Sequence, residues 1–413
     1  MDKRSVSAKT AQSAWREVIL SHDLTPVEKI SLLHNQKTAL CFLKKGPLTV
    51  RGAGKGKTLT HNKLSANYEA LEFYLSGTNY NPYPSIITNQ TEMAKQATIF
   101  PFRCRSESFL DKKNHANILP WAIYVDIKND DKYAVPLASV DLSYTLKKHP
   151  EDTMDYSPSG FYCASNGLAS GSTVEDALMH SVLELIERDA HSYFFIDTFL
   201  LNKKITAIQH DSLPEKIFKL VKKFEKAFSD ELVLIHIPSR YDVPVYCAAF
   251  VNYTFENCPR GAGAALNPVV AMERAIYEAV QSCNLMQNNY LSQKLGENTL
   301  FQKNLAKNSA SFPIKTLIQH NRVTQSPFED KPVPKAKNSK AYLDILINKV
   351  YKYSKILVHI PYQDQHVACV RTIIPDAEEF FLICHGLKMY PNTTTQSYIQ
   401  KQSGKPFSWD DQK

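Results

Sequence analysis

The chain lacks most of the features that would declare its chemistry at once. Its 8 cysteines, at 41, 104, 163, 247, 258, 283, 369 and 384, contain no Cys-x-x-Cys pair and no histidine-rich cluster joins them. That argues against structural zinc. No apolar run reaches the ~18 residues of a membrane-spanning helix, so no membrane partner is expected. The opening MDKRSVSAKTAQSAWREVIL has no sustained apolar stretch, so no secretory signal is expected and cytoplasmic placement with reduced thiols is the default. Glycine is scarce, 13 in 413 residues against 21 tyrosines and 20 phenylalanines, which predicts an aromatic core rather than a low-complexity chain. There is no long basic block: the 49 Lys and Arg against 41 Asp and Glu give a net charge of +8, spread over the whole length. Such a spread reads as a solvated surface, and no nucleic-acid partner is expected. A P-loop is missing too. Gly52-Ala-Gly-Lys-Gly-Lys-Thr58 would need glycine at 51, where Arg51 stands.

What is present is a pattern that occurs three times. SNGLASGSTVEDALMHSVLELIERDA, Ser165 to Ala190, reads as a small-residue loop delivering a long helix. Ser172 is the expected N-cap, with Glu175 completing a capping box. Glu184 and Glu187, three apart, share one helix face, and Arg188 follows. Earlier, GAGKGKTLTHNKLSANYEALEFY places Glu69 and Glu72 at the same spacing after Ser65. Later, GAGAALNPVVAMERAIYEAVQSC places Arg274, Glu278 and Gln281 along one side, behind an Asn267-Pro268 helix start. One pair of acids on an apolar helix is most simply a pair of surface carboxylates. Five acids on three glycine-led helices suggest another reading: if they converge, they repel one another unless a divalent ion lies between them. Hard oxygen ligands suit Mg2+, which usually also holds phosphates.

The remainder of the chain predicts an α+β fold of mixed sheets with packed helices. Residues 1–45 form an N-terminal segment in which WREVILSHDL and TPVEKISLLHNQ both look helical, with strands beginning at Leu40 and Leu48. AIYVDI and YAVPLASVDLSY predict a hairpin around Asn129-Asp-Asp131. FPFRCRSESF, with Arg103 and Arg105, reads as a packed surface loop. Leu232–Pro238 and Val243–Asn252 predict paired strands. IHIP at 235–238 returns as VHIP at 358–361, suggesting an internal strand–turn–strand duplication. His236 and His359 within these phrases fit satisfied core groups better than catalytic ones. Residues 287–340, rich in Asn, Gln, Lys and Ser, predict a mobile insertion. Residues 392–413 predict a polar tail.

The three helical phrases, SAxxEALE, SNGLASG…LELIERDA and NPxxAxxRAxxEAxQ, together resemble the YcaO family, over roughly Gly46 to Pro391. That resemblance implies a YcaO-type fold with a catalytic domain over 46–391, and ATP bound between acidic helices with Mg2+ rather than by a Walker motif. Gly54-Lys55-Gly56 matches a short turn that precedes the first acidic helix in that family. By the same resemblance Glu69, Glu72, Glu184, Glu187 and Glu278 coordinate metal, Arg188 and Arg274 bind phosphate, and Ser65, Ser172 and Gln281 contact the nucleotide. The implied reaction activates a peptide backbone amide: a nucleophile adds to the carbonyl, the oxyanion takes the γ-phosphoryl group of ATP, and phosphate leaves. A Cys, Ser or Thr nucleophile yields azolines, as in bacteriocin-like peptides made by ribosomes. Sulfide would yield a thioamide. The implied partners are a ribosomal precursor peptide, a leader-binding E1-like or TfuA-like protein, and a second copy of the chain in a homodimer. Three positions depart from the family pattern: Phe73 and Cys283 stand where arginines are usual, and Ser172 where asparagine is common. The two lost cations keep a non-catalytic scaffold open as an alternative. The ending PFSWDDQK also lacks the Pro-x-Pro tail common in azoline formers.

Overall fold

The computed structural model describes residues 5–76, 86–100, 114–141, 144, 148–156, 164–252, 260–287, 312–385 and 391–405. Helix α1 (Ala8–Ser21) is capped by the Ser7 hydroxyl, which accepts from the Thr10 amide. It leads into an antiparallel meander, β1 (Thr25–Leu33), β2 (Gln36–Lys45) and β3 (Leu48–Gly54). His34 and Asn35, at φ of 47° and 60°, form the two-residue turn between β1 and β2, as right-handed strand twist requires. Helix α2 (Leu59–Leu75) follows, its Thr58 cap accepting from His61. Then come β4 (Ile86–Asn89), the single turn α3 (Gln90–Met93), β5 (Thr98–Ile99), β6 (Ile118–Asp126), β7 (Lys132–Pro136) and β8 (Leu168–Gly171). The central helix α4 (Val174–Phe195) ends in a π-helical turn at Ile196–Leu200. Beyond it lie β9 (Ile205–Ile208), α5 (Glu215–Phe228), β10 (Leu232–Ile237), β11 (Val245–Phe250), β12 (Arg260–Ala264) and α6 (Pro268–Gln287). Then follow α7 (Ile314–Gln319), β13 (Val323–Ser326), α8 (Ser339–Val350), β14 (Leu357–Gln363), β15 (Ala368–Ile373) and α9 (Thr393–Ser403).

The strands make three sheets. The second runs β5-β7-β6-β14-β15-β8, with β4 also paired to β6, and the third runs β12-β11-β10-β9-β13. Each sheet ends in an edge strand, β3, β8 or β12, that leads straight into an acidic helix packed back upon it. Close packing explains the glycines that precede these helices. A Cβ at Gly54 would land on the Asn62 carbonyl of α2, and one at Gly263 on the Ala271 carbonyl of α6. The small residues are there to let helix backbone touch strand backbone. Helix α4 is buried on nearly all sides, between the second sheet, α8 and β12, and its apolar positions belong to the largest core cluster among the described residues.

Several expectations change. TPVEKISLL is the strand β1 and not a helix, because all nine residues register with β2, with Ser31 and Leu33 buried and Ile30 and Leu32 exposed. The predicted small-residue loop before the second acidic helix is the edge strand β8, and the glycine-rich stretch before the third is the edge strand β12. The N-cap of α4 is Thr173, accepting from Asp176, so the expected Ser172 cap lies one residue too early. The start of α6 is as expected, with the Val269 amide donating to Asn267 Oδ1 over 2.9 Å. Of the expected insertion, residues 288–311 lie outside the described residues. The described part carries α7 and β13, and β13 pairs in parallel with β9, so 312–326 is built into the third sheet. Asn392 caps α9 in the expected tail, while 406–413 lie outside the described residues, as do Arg103 and Arg105. The two HIP phrases begin antiparallel hairpins in different sheets, the second with a register shift that the first lacks. Among the described residues no helix is long and apolar enough to cross a membrane.

Candidate active site

Edge strands carry backbone amides that no sheet neighbour takes up, and a carboxylate is a strong acceptor for them. This structure joins the two. The Ala53 amide of β3 donates to Glu69 Oε2 over 3.3 Å, and the Ser170 amide of β8 donates to Glu72 Oε2 over 2.9 Å. Gly167, just before β8, donates to Glu184 Oε2 over 3.2 Å. The Ala262 amide of β12 holds Glu278. The three helices thus bring Glu69, Glu72, Glu184, Glu187 and Glu278 into one electrostatic neighbourhood, each sensing at least one of the others or their shared cations.

Burial and crowding set the charge state. Burial pushes Glu69 and Glu187 up to about 7, and neighbouring carboxylates add to the rise. Burial, then Glu184 and Glu69, lifts Glu72 well above the ordinary range, and burial raises Glu184 despite Arg188. Glu278 is the exception: burial would raise it, but Lys55 and Arg188 hold it low. Arg188 Nη1 lies 3.2 Å from Glu187 Oε1 and Nη2 lies 3.5 Å from Glu184 Oε1, with the guanidinium 5.2 Å over the Phe381 ring. Its Nε is buried and meets no acceptor among the described residues. Lys55, from the turn between β3 and α2, pairs with Glu278.

The other expected residues divide. Ser65 shares the α2 face of Glu69 and Glu72 and is half-buried. Gln281 lies on the wall of a cleft of about 160 Å³ beside the acids, with Lys37, Lys57, Lys223, Phe224 and Tyr277, and Lys55 stands between cleft and acids. Arg274 Nη1 donates back to the Ala264 carbonyl over 2.9 Å. The Ser172 hydroxyl lies 3.2 Å from the Tyr68 hydroxyl, where α2 meets the start of α4. Phe73 packs partly buried into the α1–α2 core, and Cys283 is fully buried in the core cluster that α5 and α6 share with the third sheet. His359 Nδ1 lies 2.9 Å from the Ile123 carbonyl and His236 packs against Tyr246, both held by the fold. Sequence reasoning missed the backbone tethers and left Lys55 as no more than part of a turn. The signal for Lys55 was its place one residue past a strand that leads into an acidic helix.

A cation fits this arrangement. Five clustered carboxylates, four of them with raised protonation, an orphaned guanidinium nitrogen and an all-oxygen donor set suit a hard dication carrying phosphate. Among the described residues no three acid, cysteine or histidine groups are already drawn together as a closed cage. The strand amides and Lys55 hold the carboxylates back. A family model described as the YcaO cyclodehydratase, ATP- and Mg2+-binding, matches residues 53–378. The chain belongs to the YcaO family. The YcaO protein of Methanopyrus kandleri bound with AMPPCP and Mg2+ shares this fold, with a TM-score of 0.69 and 17% identity over 94% of this chain and 96% of that one. A heterocyclase in complex with substrate and cofactor aligns with a TM-score of 0.67 and 17% identity, covering 91% of this chain and 53% of that one. The E. coli microcin synthetase McbBCD complex with pro-MccB17 bound aligns with a TM-score of 0.54 and 12% identity, over 85% of this chain and 88% of that one. In sequence, an uncharacterized protein of Methanothermobacter thermautotrophicus is 29% identical over 56% of each chain. An uncharacterized protein from the tfuA 3′ region of Rhizobium leguminosarum bv. trifolii is 26% identical over 45% of this chain and 46% of its own. The match spans about half the length of these two relatives.

Proposed function

We propose that this YcaO protein is an ATP- and Mg2+-dependent enzyme that activates backbone amides of a ribosomally made peptide, closing Cys, Ser or Thr side chains into azolines. The observation that carries the reading is the convergence of three acidic helices on one buried site, four of the five acids tethered by a backbone amide in or just before an edge strand. ATP would supply the phosphoryl group that turns the amide oxygen into a leaving group, with Mg2+ neutralising the triphosphate. Glu69, Glu72, Glu184, Glu187 and Glu278 would hold the metal. Arg188, whose Nε lacks an acceptor among the described residues, would reach the phosphate. Lys37, Lys57 and Lys223 on the cleft would draw the polyphosphate in, and Gln281 on the same wall would contact the nucleotide. Ser65 would join them from the α2 face. Arg274 and Ser172 stand less well as ligands, since the contacts described for each are to neighbouring protein groups. Phosphoryl transfer asks mostly for positioning and charge neutralisation, and this site offers both.

The heterocyclase and microcin synthetase relatives, solved with substrate or partner chains, support a peptide substrate and a partner protein. The relative encoded beside tfuA supports the TfuA-like form of that partner over the E1-like one. The test is phosphate release from ATP with a Cys- and Ser-rich precursor peptide, read beside the mass of the peptide. Azoline closure lowers the mass by one water, whereas sulfur-for-oxygen exchange raises it and would install the thioamide reading instead. Tight Mg2+–ATP binding without turnover in any partner combination would leave the scaffold reading.

A further inference from the structure

Lys55 occupies an unusual place. Its ammonium pairs with Glu278, and Glu69, Glu184 and Glu187 lie close enough to sense it as well. Four of the five clustered carboxylates therefore share one lysine. Arg188, a second cation among them, contacts Glu184, Glu187 and the Phe381 ring from α4, and Arg371, which Glu72 senses, is buried on β15, so both have little freedom to leave. Lys55 differs in its mounting. It projects from a turn between Gly54 and Gly56, its side chain is 34% exposed, and it also lines the lysine-rich cleft. A flexible stem with one compact charge reaches both places.

We propose that Lys55 is a tethered counter-ion, seated among the acids until metal and nucleotide enter together and then passing into the cleft, where the phosphates receive it. The inference rests on the reading of this site as the Mg2+–ATP site and adds a coupling to it. A dication and the ammonium compete for the same carboxylates, since each repels the other at close range. Mg2+ alone must expel Lys55 with no new partner for it. With nucleotide present the expelled charge meets phosphate, so each ligand favours the other through one side chain. The carboxylates are also kept from repelling one another while the site waits.

Calorimetry on the full chain tests this with Mg2+ alone, the nonhydrolysable analogue AMPPCP alone, and both together. Lys55→Met is expected to bind Mg2+ alone about tenfold more tightly than the wild type, within the usual range of coupling between sites, and to lose most of the synergy between metal and analogue. Lys55→Arg keeps a cation in place and is expected to resemble the wild type. If Lys55→Met binds Mg2+ alone no better than the wild type, while both still bind Mg2+ with AMPPCP, the proposal is overturned and the ATP-site reading stands. If the wild type fails to bind Mg2+ with AMPPCP at all, both fall. Lysine acylation of the wild type gives a second reading that needs no variant. Saturating Mg2+ alone is expected to raise the reactivity of Lys55 as it is driven into the cleft, and an unchanged reactivity overturns the proposal.

Discussion

Helix α4 carries buried carboxylates on two sides, and the two sides are built differently. On one, Asp189 accepts from Arg240 Nε and Nη2 over 3.1 and 2.6 Å and from the Glu378 amide over 2.8 Å. Glu378 in turn accepts from the amides of Glu379, Phe380 and Asn392 over 2.9, 3.0 and 2.8 Å. These acceptors are filled, and the network ties the segment leading into α9 to the central helix. On the other side, Glu184 has one amide and a long contact to Arg188, and Glu187 has Arg188 alone among the hydrogen bonds and ion pairs described, amid three further acids. Both sides bear the cost of burying charge. Burial still pushes Asp189 up to about 6 and Glu378 up to about 7, but the first side fills its acceptors within the protein, so the first serves stability, and the second is left to be completed by something that binds.

That contrast can be broken from either side. Arg240→Ala leaves Asp189 buried without its cation, and such a loss costs about 3–5 kcal/mol of stability, read as a lower denaturant midpoint. Glu187→Gln removes one charge from the unfilled side. Peptide-dependent phosphate release is expected to fall about a hundredfold or more, the scale of losing one preorganised electrostatic contact, while the chain stays folded by circular dichroism. Should Glu187→Gln unfold the protein and Arg240→Ala leave it intact, the two sides have been assigned the wrong way round.

The unfilled side was the more legible one in sequence. Three-residue spacing places Glu69 with Glu72 and Glu184 with Glu187 on single faces, and the Asn267-Pro268 start sets the face of Glu278. The tethers were hidden because they are backbone amides, which any residue but proline at 53, 167, 170 or 262 would supply. Two of the strands that carry them, β8 and β12, were hidden because runs of glycine, alanine and serine show no alternation of apolar and polar side chains. In β1 the alternation was present but faint, with charged residues on both faces, and pairing with β2 decided the outcome. Nothing in the sequence paired Asp189 with Arg240, 51 residues away, or singled out Lys55 among 49 basic residues. Both depend on tertiary placement.

The close strand–helix approach gives a smaller effect. A methyl group at Gly263 would have to displace the Ala271 carbonyl of α6, so Gly263→Ala is expected to cost about 1–3 kcal/mol by overpacking. Because Arg274 and Glu278 lie on that helix, the variant is also expected to weaken AMPPCP binding more than a surface change of equal stability cost would. Equal weakening in both would mean that the spacing of α6 from β12 matters only to the fold.

The smallest effect is a slope with pH, to which both sides of α4 contribute, since burial also pushes Asp189 up to about 6 and Glu378 up to about 7. Glu69 and Glu187 have their protonation pushed up to about 7 from an ordinary 4.5. Between those values the folded chain holds protons that the unfolded chain has released. The stability they contribute is complete below about pH 4.5 and is lost as pH rises through 7. Metal-free protein is therefore expected to melt on the order of a few degrees lower at pH 8 than at pH 5. Glu72→Gln takes one charge out of the cluster, keeps an acceptor for the Ser170 amide, and is expected to flatten that slope and raise the metal-free melting point at pH 8. Mg2+ with AMPPCP should act against the same slope, since a metal needs the carboxylates deprotonated and binds better as pH rises. The part of the slope that survives both treatments is expected to come from Asp189 and Glu378, and a slope unchanged by either treatment would mean that the clustered acids contribute none of it.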